Sequence, residues 1–393
     1  MEESEENMKE TFSDYIIPIL YSIICAVGIV GNSVVIYVVL SISSITQAKL
    51  HYLCTVPKAG AVDDLDKNSM IEMDNLNEQN VKRVTKRTPR SKFIDYKTCI
   101  FRSVYQKFKN LKLSVTNYYL INLAFADFTL LFFMIFLIVT SILKRWIFGF
   151  IWCKIYFSVV YICQLNASFI ISILSFDRWL AVRFPLKVKN YRNLFITRII
   201  IFVSWSLAII LAIPVMMFTT ETEEYTNLTT NESFKEFMCR LDIDNDINGQ
   251  YKLLPGKVSP LKAFQLYWLT INFIIPVTFV VIFYIQVVRR LKLNSKNSRI
   301  VQSINRLKTY KKITYMCLAI IACYVICWTP YWCVQFMLTV ISHEDYHNSI
   351  MYLSNLTQVI AYLNSALNPI LYSFLSEDFQ SNFKFTCFFR KSK

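Results

Sequence analysis

One long apolar run of the sequence carries a thiol at its start and an ion pair at its end. The run begins at Cys153 and ends at Asp177-Arg178-Trp179. It is long enough to cross a bilayer as a helix, which needs ~20 residues. We therefore expect the acid and the arginine to lie where the membrane gives way to water, with the cysteine at the opposite surface. The other apolar runs are interpreted around this one.

A further charge lies inside another apolar run. Asp127 falls near the middle of residues 113–142. An ionised side chain at the centre of a membrane helix costs about 2.5–3.5 kcal/mol on insertion scales. The carboxyl group must therefore be protonated or have polar partners. The polar side chains that neighbouring runs offer are Asn32, Asn364, Ser365 and Asn368.

The composition excludes several classes of function. Hydrophobic residues make up 54% of the 393 residues, against ~45–50% in soluble domains, and their concentration in long runs predicts a membrane protein. The net charge of +15 does not indicate nucleic-acid binding, because the basic residues cluster in loops between apolar runs. The cysteines form no CxxC pair, the histidines lie outside the runs and no phosphate loop is present. These features argue against a metal site and against an enzyme, so we expect no catalytic residue.

Seven apolar runs predict an all-α membrane protein, a bundle of seven transmembrane helices. Loops with an excess of Lys and Arg follow the third and fifth runs, and the positive-inside rule places these two basic loops in the cytoplasm. The loop after the fourth run is acidic, which places it outside. The acidic start, Met1 to Asp14, does not resemble a positively charged signal region, so we expect it to lie outside a plasma membrane. The runs are 15–40, 113–142, 153–179, 196–218, 264–291, 310–341 and 350–375.

The predicted domains are an extracellular N-terminus (1–14), a transmembrane domain (15–375), and an amphipathic helix with a short cytoplasmic tail (376–393). In the last segment Leu375, Phe379 and Phe383 recur every four residues, which is typical of a helix lying on the membrane surface. Cys387 is there either palmitoylated or a free thiol. Residues 41–112 are polar and of mixed charge, which predicts disorder. They are either a functional intracellular loop or an artefact, that is, a retained intron or a gene-model error. The sequence favours an artefact.

Motifs in all seven runs together resemble the rhodopsin-like (class A) G-protein-coupled receptors. The residues that carry the resemblance are Gly31-Asn32, Leu123-Ala-x-Ala126-Asp127, Asp177-Arg178-Trp179, Trp205, Pro276 with Tyr284, Cys327-Trp328-x-Pro330 and Asn368-Pro369-x-x-Tyr372. Within that family, the chain is most similar to the peptide branch of somatostatin, opioid and allatostatin-C receptors. That similarity rests on Trp146-x-Phe148-Gly149 and on Cys327-Trp328-x-Pro330-Tyr331-Trp332-x-x-Gln335.

The resemblance implies a receptor that binds an extracellular neuropeptide and activates a heterotrimeric G protein of the inhibitory class, which lowers cyclic AMP. Arrestin and membrane lipids are the further partners expected. An orphan receptor with a non-peptide ligand or constitutive signalling is the alternative. A microbial-type retinal protein is excluded because residues 350–375 contain no lysine for a Schiff base. A transporter is disfavoured because the sequence shows no internal repeat.

The resemblance also assigns a switch. Arg178 would pair with Asp177 at rest and extend on activation toward Tyr284 and Tyr372, beside Asn368 and Pro369. Many relatives also hold this arginine with an acid at the start of the sixth span. Here Tyr310, Lys311 and Lys312 occupy that region, and only Thr314 could offer a hydrogen bond. This difference predicts a weaker restraint and raised basal activity. Trp328, next to the kinking Pro330, would be the pivot beneath the ligand.

Two further sites follow from the resemblance. The cluster of Asn32, Asp127, Asn364 and Ser365 would hold an allosteric sodium ion or water, although Ala167 replaces a common serine ligand. No other cofactor is expected. Cys153 and Cys239 would form a disulfide that holds the second outer loop across the pocket mouth. Asn227 and Asn231 in that loop are glycosylation sites, whereas Asn166 lies inside a span.

The predicted ligand pocket lies on the outer halves of the third, sixth and seventh spans. Amine-binding relatives carry an aspartate seven residues after the cysteine, but this chain has Val160 there, which argues against an amine ligand. The acidic outer loop should concentrate a cationic peptide near the mouth. The pocket residues predicted are Tyr161, Gln164, Trp328, Gln335 and Tyr362.

Overall fold

The computed structural model describes residues 15–55, 115–184, 193–227, 233–243, 259–297, 301–340 and 347–375. The chain divides into two units, Leu40–Leu113 and the remainder. In the first unit the structure describes only residues 40–55, which are helical. The rest of the fold described below belongs to the second unit.

The described part of the chain is mainly helical. A hairpin of two antiparallel strands, β1 (Thr219–Asn227) and β2 (Ser233–Leu241), joins the fourth span to the fifth. The helices are α1 (Ile17–Thr55), α2 (Val115–Leu143), α3 (Gly149–Arg183), α4 (Leu194–Leu211), α5 (Ile213–Phe218), α6 (Pro260–Leu269), α7 (Ile275–Asn297), α8 (Val301–Val340) and α9 (His347–Leu375).

The helices form a bundle of seven spans, so the fold class predicted from the sequence is confirmed. Six spans are long and apolar enough to cross a membrane by themselves: Ile17–Leu40, Val115–Leu143, Gly149–Arg183, Leu194–Leu211, Pro260–Leu293 and Thr314–Val340. The seventh span, α9, has 29 residues, long enough to cross. It is more polar than the others because it carries buried Asn364, Ser365 and Asn368.

Proline marks the irregular points of two spans. The fourth span breaks at Ala212, and Pro214 lies in the first turn of α5. A π-helical turn, Thr270–Ile274, separates α6 from α7 in the fifth span, and Pro276 follows it. Proline cannot donate the backbone hydrogen bond that continues a helix, so each break lies where the sequence removes a donor.

The first helix extends further than predicted. We expected disorder over residues 41–112, but α1 continues past Leu40 to Thr55. Residues 41–55 contain neither glycine nor proline, and the first helix-breaking residue is Pro57. The continuation is therefore consistent with helix propensity. The remainder of the predicted loop lies outside the described residues.

Candidate functional site

Aromatic side chains enclose a cavity between α2, α3, α6, α8 and α9, at the end of the bundle that carries the disulfide. Its volume is about 190 Å³. No lining residue is an acid or a base. The walls consist of Leu137, Thr140, Trp146, Tyr156, Phe157, Val160, Tyr161, Gln164, Cys239, Trp268, Tyr331, Trp332, Gln358 and Tyr362.

Contacts between rings fix the walls of this cavity, which we call the aromatic cavity. Tyr161 of α3 packs against Trp268 of α6 with ring centroids 4.7 Å apart. Tyr362 of α9 meets Tyr21 of α1 edge to face at 6.0 Å. The Tyr21 hydroxyl donates to Gln358 over 3.3 Å. Aromatic pairs at such distances contribute about 0.5–1.5 kcal/mol beyond the area they bury, so the walls are preorganised.

The predicted disulfide forms and fastens the hairpin over the cavity. Cys153, in the first turns of α3, is bonded to Cys239 of β2, with their Cα atoms 5.6 Å apart. The Trp146 amide donates to the carbonyl of Phe237 in the same strand over 2.6 Å. Cys239 itself lines the cavity. We call this end of the bundle the disulfide end.

The Trp146-x-Phe148-Gly149 motif has a structural role beside the disulfide. Gly149 has a φ of +80°, a conformation that side chains other than glycine's rarely adopt. The turn it allows brings its carbonyl to the Trp146 indole, which donates to it over 3.0 Å. Trp146 also contacts Phe148 and Phe136, at centroid distances of 5.0 and 6.0 Å. The motif thus packs the end of α2 against the start of α3.

The structure places three of the five predicted pocket residues on the cavity wall. Tyr161, Gln164 and Tyr362 line it, but Trp328 and Gln335 do not. Trp328 is buried against Tyr331 and Trp332. Gln335 instead donates to the Ser354 hydroxyl over 2.9 Å. In α8 the adjacent Tyr331 and Trp332 therefore occupy the wall positions that we assigned to those two residues.

A buried polar network lies in the middle of the bundle. Asn368 donates to the Asp127 carboxylate over 2.8 Å, and the side chain of Ser365 also interacts with that carboxylate. The Asn32 side-chain amide donates to two carbonyls, of Gly28 over 2.9 Å and of Ser365 over 3.0 Å. Asp127 therefore has the polar partners that its position in the membrane requires.

The same network contains oxygen atoms able to bind a cation. The side-chain carbonyl oxygens of Asn32, Asn364 and Asn368 are buried and accept no hydrogen bond among the residues the structure describes. Hard cations prefer carboxylate and amide oxygens, so together with Asp127 this set fits a small cation such as sodium. Ala167 is buried and supplies no oxygen.

At the opposite end of the bundle, which we call the arginine end, Arg178 is buried and held by two partners. It forms an ion pair with neighbouring Asp177. It also donates to the Thr116 hydroxyl of α2 over 2.5 Å. Thr116 was not recognised from the sequence, where Thr314 was the only hydrogen-bonding group considered. This hydrogen bond joins α3 to α2, a helix that the sequence interpretation did not consider.

The other predicted switch residues have separate contacts. Tyr284 of α7 donates to the backbone carbonyl of Thr314 over 3.4 Å, which joins the fifth span to the sixth. Asn368 belongs to the polar network, and Pro369 lies inside α9. For Tyr372 the structure describes only a helical backbone.

Several predictions fall wholly or partly outside the described residues, including the extracellular N-terminus (1–14) and the amphipathic helix with its cytoplasmic tail (376–393). Asn231 and Cys387 are not described. Asn227 ends strand β1, but its side chain is not described. Glycosylation and palmitoylation therefore stay predictions. Asn166, which we did not expect to be glycosylated, is buried and accepts a hydrogen bond from Ser204 over 2.9 Å.

The seven spans, the disulfide and the buried arginine define a class of membrane receptor. Residues 102–372 match the family described as "7 transmembrane receptor (rhodopsin family)". The chain belongs to the rhodopsin family of seven-transmembrane receptors. The resemblance found in the sequence is thereby confirmed, and membership of a receptor family agrees with the expectation that the protein is not an enzyme.

Several curated proteins are similar to most of the chain. Somatostatin receptor type 1 of Rattus norvegicus is 28% identical over 272 residues, which are 69% of this chain and 63% of the relative. The allatostatin-A receptor of Bombyx mori is 28% identical over 276 residues, 69% of this chain and 70% of the relative. Formyl peptide receptor-related sequence 1 of Mus musculus is 27% identical over 272 residues, 68% of this chain and 72% of the relative. The chain thus matches under two thirds of the somatostatin receptor's length.

Proposed function

We propose that this protein is a plasma-membrane receptor for an extracellular neuropeptide and that it activates a heterotrimeric G protein of the inhibitory class. The aromatic cavity carries the proposal. It lies under a disulfide-fastened hairpin and is uncharged, and its walls offer rings and two amide side chains. Such walls suit aromatic, aliphatic and amide groups of a peptide, with the amides fixing orientation.

The size of the cavity limits what enters it. A volume of about 190 Å³ is below the ~300–1,000 Å³ of sites that hold whole drug-sized ligands. We therefore infer that one or two side chains of the peptide enter, while the remainder lies against the hairpin. Val160 lines the wall, so the position that is acidic in amine-binding receptors supplies no countercharge for a ligand amine.

The disulfide end faces the outside in this proposal. Disulfides persist in oxidising compartments, and Cys153–Cys239 lies at this end. Basic residues at the arginine end then face the cytoplasm, in agreement with the positive-inside rule. An epitope placed before Tyr15 should be labelled on intact cells. An epitope at the C-terminus should be labelled only after permeabilisation.

The polar network regulates the receptor in this account. A sodium ion held by Asp127 and the amide oxygens around it would stabilise the resting arrangement. The ion would supply a positive charge that balances the buried carboxylate. Two hydrogen bonds position the groups around this ion: Asn368 orients the Asp127 carboxylate, and Asn32 holds the backbone of α9 in place.

Inhibition of cyclic AMP synthesis tests the proposed function. Cells that display the chain would be exposed to a panel of disulfide-cyclised and amidated neuropeptides. A saturable decrease with one peptide, absent from cells that do not express the chain, is expected. Silence across the panel, with surface expression verified, would favour the alternative, an orphan receptor with a non-peptide ligand or constitutive signalling.

A further inference from the structure

A groove at the arginine end lies between α3 and α7 and belongs to none of the sites described above. Its volume is about 260 Å³. Its lining is amphipathic, with one indole, one amide and three guanidinium groups beside aliphatic side chains. The lining residues are Trp179, Val182, Arg183, Gln286, Val287, Arg289, Arg290 and Leu293.

The apolar floor of the groove is fixed by packing. Val182 and Val287 are buried against each other, and Trp179 packs on them. The Trp179 indole donates to the Gln286 side chain over 2.8 Å, which joins α3 to α7. Leu293, one and a half turns beyond Val287, is 55% exposed. The floor therefore offers an ordered surface to a hydrocarbon chain.

The three arginines carry a positive charge that the described part of the protein does not balance. Arg183 and Arg289 are exposed. The Nε atom of Arg290 is buried and has no hydrogen-bond partner among the described residues. Among the described residues, the one carboxylate near the arginine end belongs to Asp177, which is paired with Arg178. A buried donor without an acceptor costs about 1–3 kcal/mol, so Arg290 offers a hydrogen-bond donor that suits an anionic ligand.

The position of the groove across the membrane indicates which kind of anion could bind there. Trp179 follows Cys153 along one continuous helix, about 40 Å at ~1.5 Å per residue, so the groove lies at the membrane surface opposite the disulfide. Tryptophan and arginine at this level are typical of the interface between headgroups and hydrocarbon. On the orientation in the proposed function, that surface is the anionic cytoplasmic leaflet.

We propose that the groove binds an anionic phospholipid, with its phosphate among Arg183, Arg289 and Arg290 and one acyl chain along Trp179, Val182 and Leu293. The proposal rests on the proposed function only for the choice of leaflet. The occupant would join α3 to α7 at the point where Trp179 bonds Gln286.

Fluorescence of Trp179 tests this proposal. The full chain would be placed in nanodiscs of phosphatidylcholine that contain a rising fraction of phosphatidylserine with brominated acyl chains, which quench nearby indoles. The signal of Trp179 is the difference between the unmodified chain and Trp179→Phe. Brominated phosphatidylcholine at equal bromine content gives the quenching due to bulk lipid. Both leaflets have the same composition, so the test depends neither on orientation nor on G-protein coupling.

We expect phosphatidylserine to quench Trp179 more than phosphatidylcholine does, with saturation. Each basic residue near an anionic surface contributes attraction that corresponds to about a fivefold change in apparent affinity. Arg289→Gln/Arg290→Gln should therefore require about 25-fold more phosphatidylserine. Lys292→Gln, on the same helix but outside the groove, removes only the general attraction of one charge and should have a smaller effect than Arg290→Gln. Arg289→Lys/Arg290→Lys should retain most of the binding.

Three results would overturn the proposal. Equal quenching by the two lipids would show no selectivity for an anionic headgroup. An equal response of the single variants Arg290→Gln and Lys292→Gln would show that the arginines are only solvated. If inorganic phosphate abolished the excess quenching by phosphatidylserine, the site would bind free phosphate and not the lipid. The Arg289→Lys/Arg290→Lys variant retains both charges, so its behaviour separates loss of binding from loss of folding.

Discussion

The side-chain amide of Asn32 donates a 3.0 Å hydrogen bond to the backbone carbonyl of Ser365. In a regular helix that carbonyl would accept from the amide four residues later, but that residue is Pro369, which has no N–H. Gly31 permits the approach, since a Cβ atom there would lie 3.0 Å from the proline ring. Two separate sequence motifs therefore form one contact between α1 and α9.

Asn32→Ala should destabilise the receptor because it leaves the Ser365 carbonyl buried without a donor. The expected loss is about 1–3 kcal/mol, measured as a lower thermal unfolding temperature in detergent. Ser33→Ala is the matched control, since Ser33 is bonded only to the carbonyl of Ile29 in its own helix. Equal unfolding temperatures for the two variants would contradict this explanation of the motif.

A similar arrangement joins the fifth and sixth spans. Tyr324 donates to the backbone carbonyl of Asn272 over 2.8 Å, one turn before Pro276. Tyr324→Phe should lower stability by about 1 kcal/mol. In a Pro276→Ala background the helix can supply its own amide, so the same change should then have a smaller effect. Additive losses in this double-mutant cycle would show that the two residues are independent. Tyr315→Phe, at an exposed position, is the control for loss of a tyrosine hydroxyl.

Thr116→Val should raise basal signalling. The Thr116 hydroxyl accepts from Arg178, and hydrogen bonds to charged groups contribute about 1.5–3 kcal/mol. If the bond exists only in the resting state, its loss shifts the equilibrium toward the active state by about tenfold or more. Ligand-independent nucleotide exchange on the G protein would be measured. The control is Thr129→Val in the same helix, where the hydroxyl bonds the Phe125 carbonyl. Unchanged exchange at equal surface expression would exclude a restraining role for Thr116.

Much of the fold could be predicted because each span is a long apolar run. The polar network was also expected, since Asp127 is too costly inside a membrane without polar partners. The pairing of Arg178 with Asp177 was expected from the resemblance, whereas its role as a switch stays a prediction. The partner Thr116 was not found, because one hydroxyl in an apolar helix gives no signal until the rotation of α2 is known. Trp332 and Trp268 were missed as cavity residues for a similar reason. Proline and a π turn in those spans change which side of the helix faces inward.

Cys153→Ser and Cys239→Ser should each weaken the cap over the aromatic cavity. Removal of a native disulfide costs about 2–5 kcal/mol in small secreted domains, and here the disulfide is the covalent link between the hairpin and α3. We expect lower unfolding temperatures and a weaker peptide response, with no further loss in the double variant. Cys333→Ser, at an exposed free thiol, should behave like the unmodified chain. A double variant with additive losses would mean that the two sulfurs act separately.

In the proposed mechanism Arg178 couples this bundle to a G protein. Nucleotide exchange on a purified inhibitory heterotrimer, with the chain in nanodiscs and no ligand, tests it most directly. We expect faster exchange than with empty nanodiscs, further acceleration by any peptide that lowers cyclic AMP in cells, and loss of both effects in Arg178→Ala. Equal exchange by the unmodified chain and a folded Arg178→Ala variant would contradict the account.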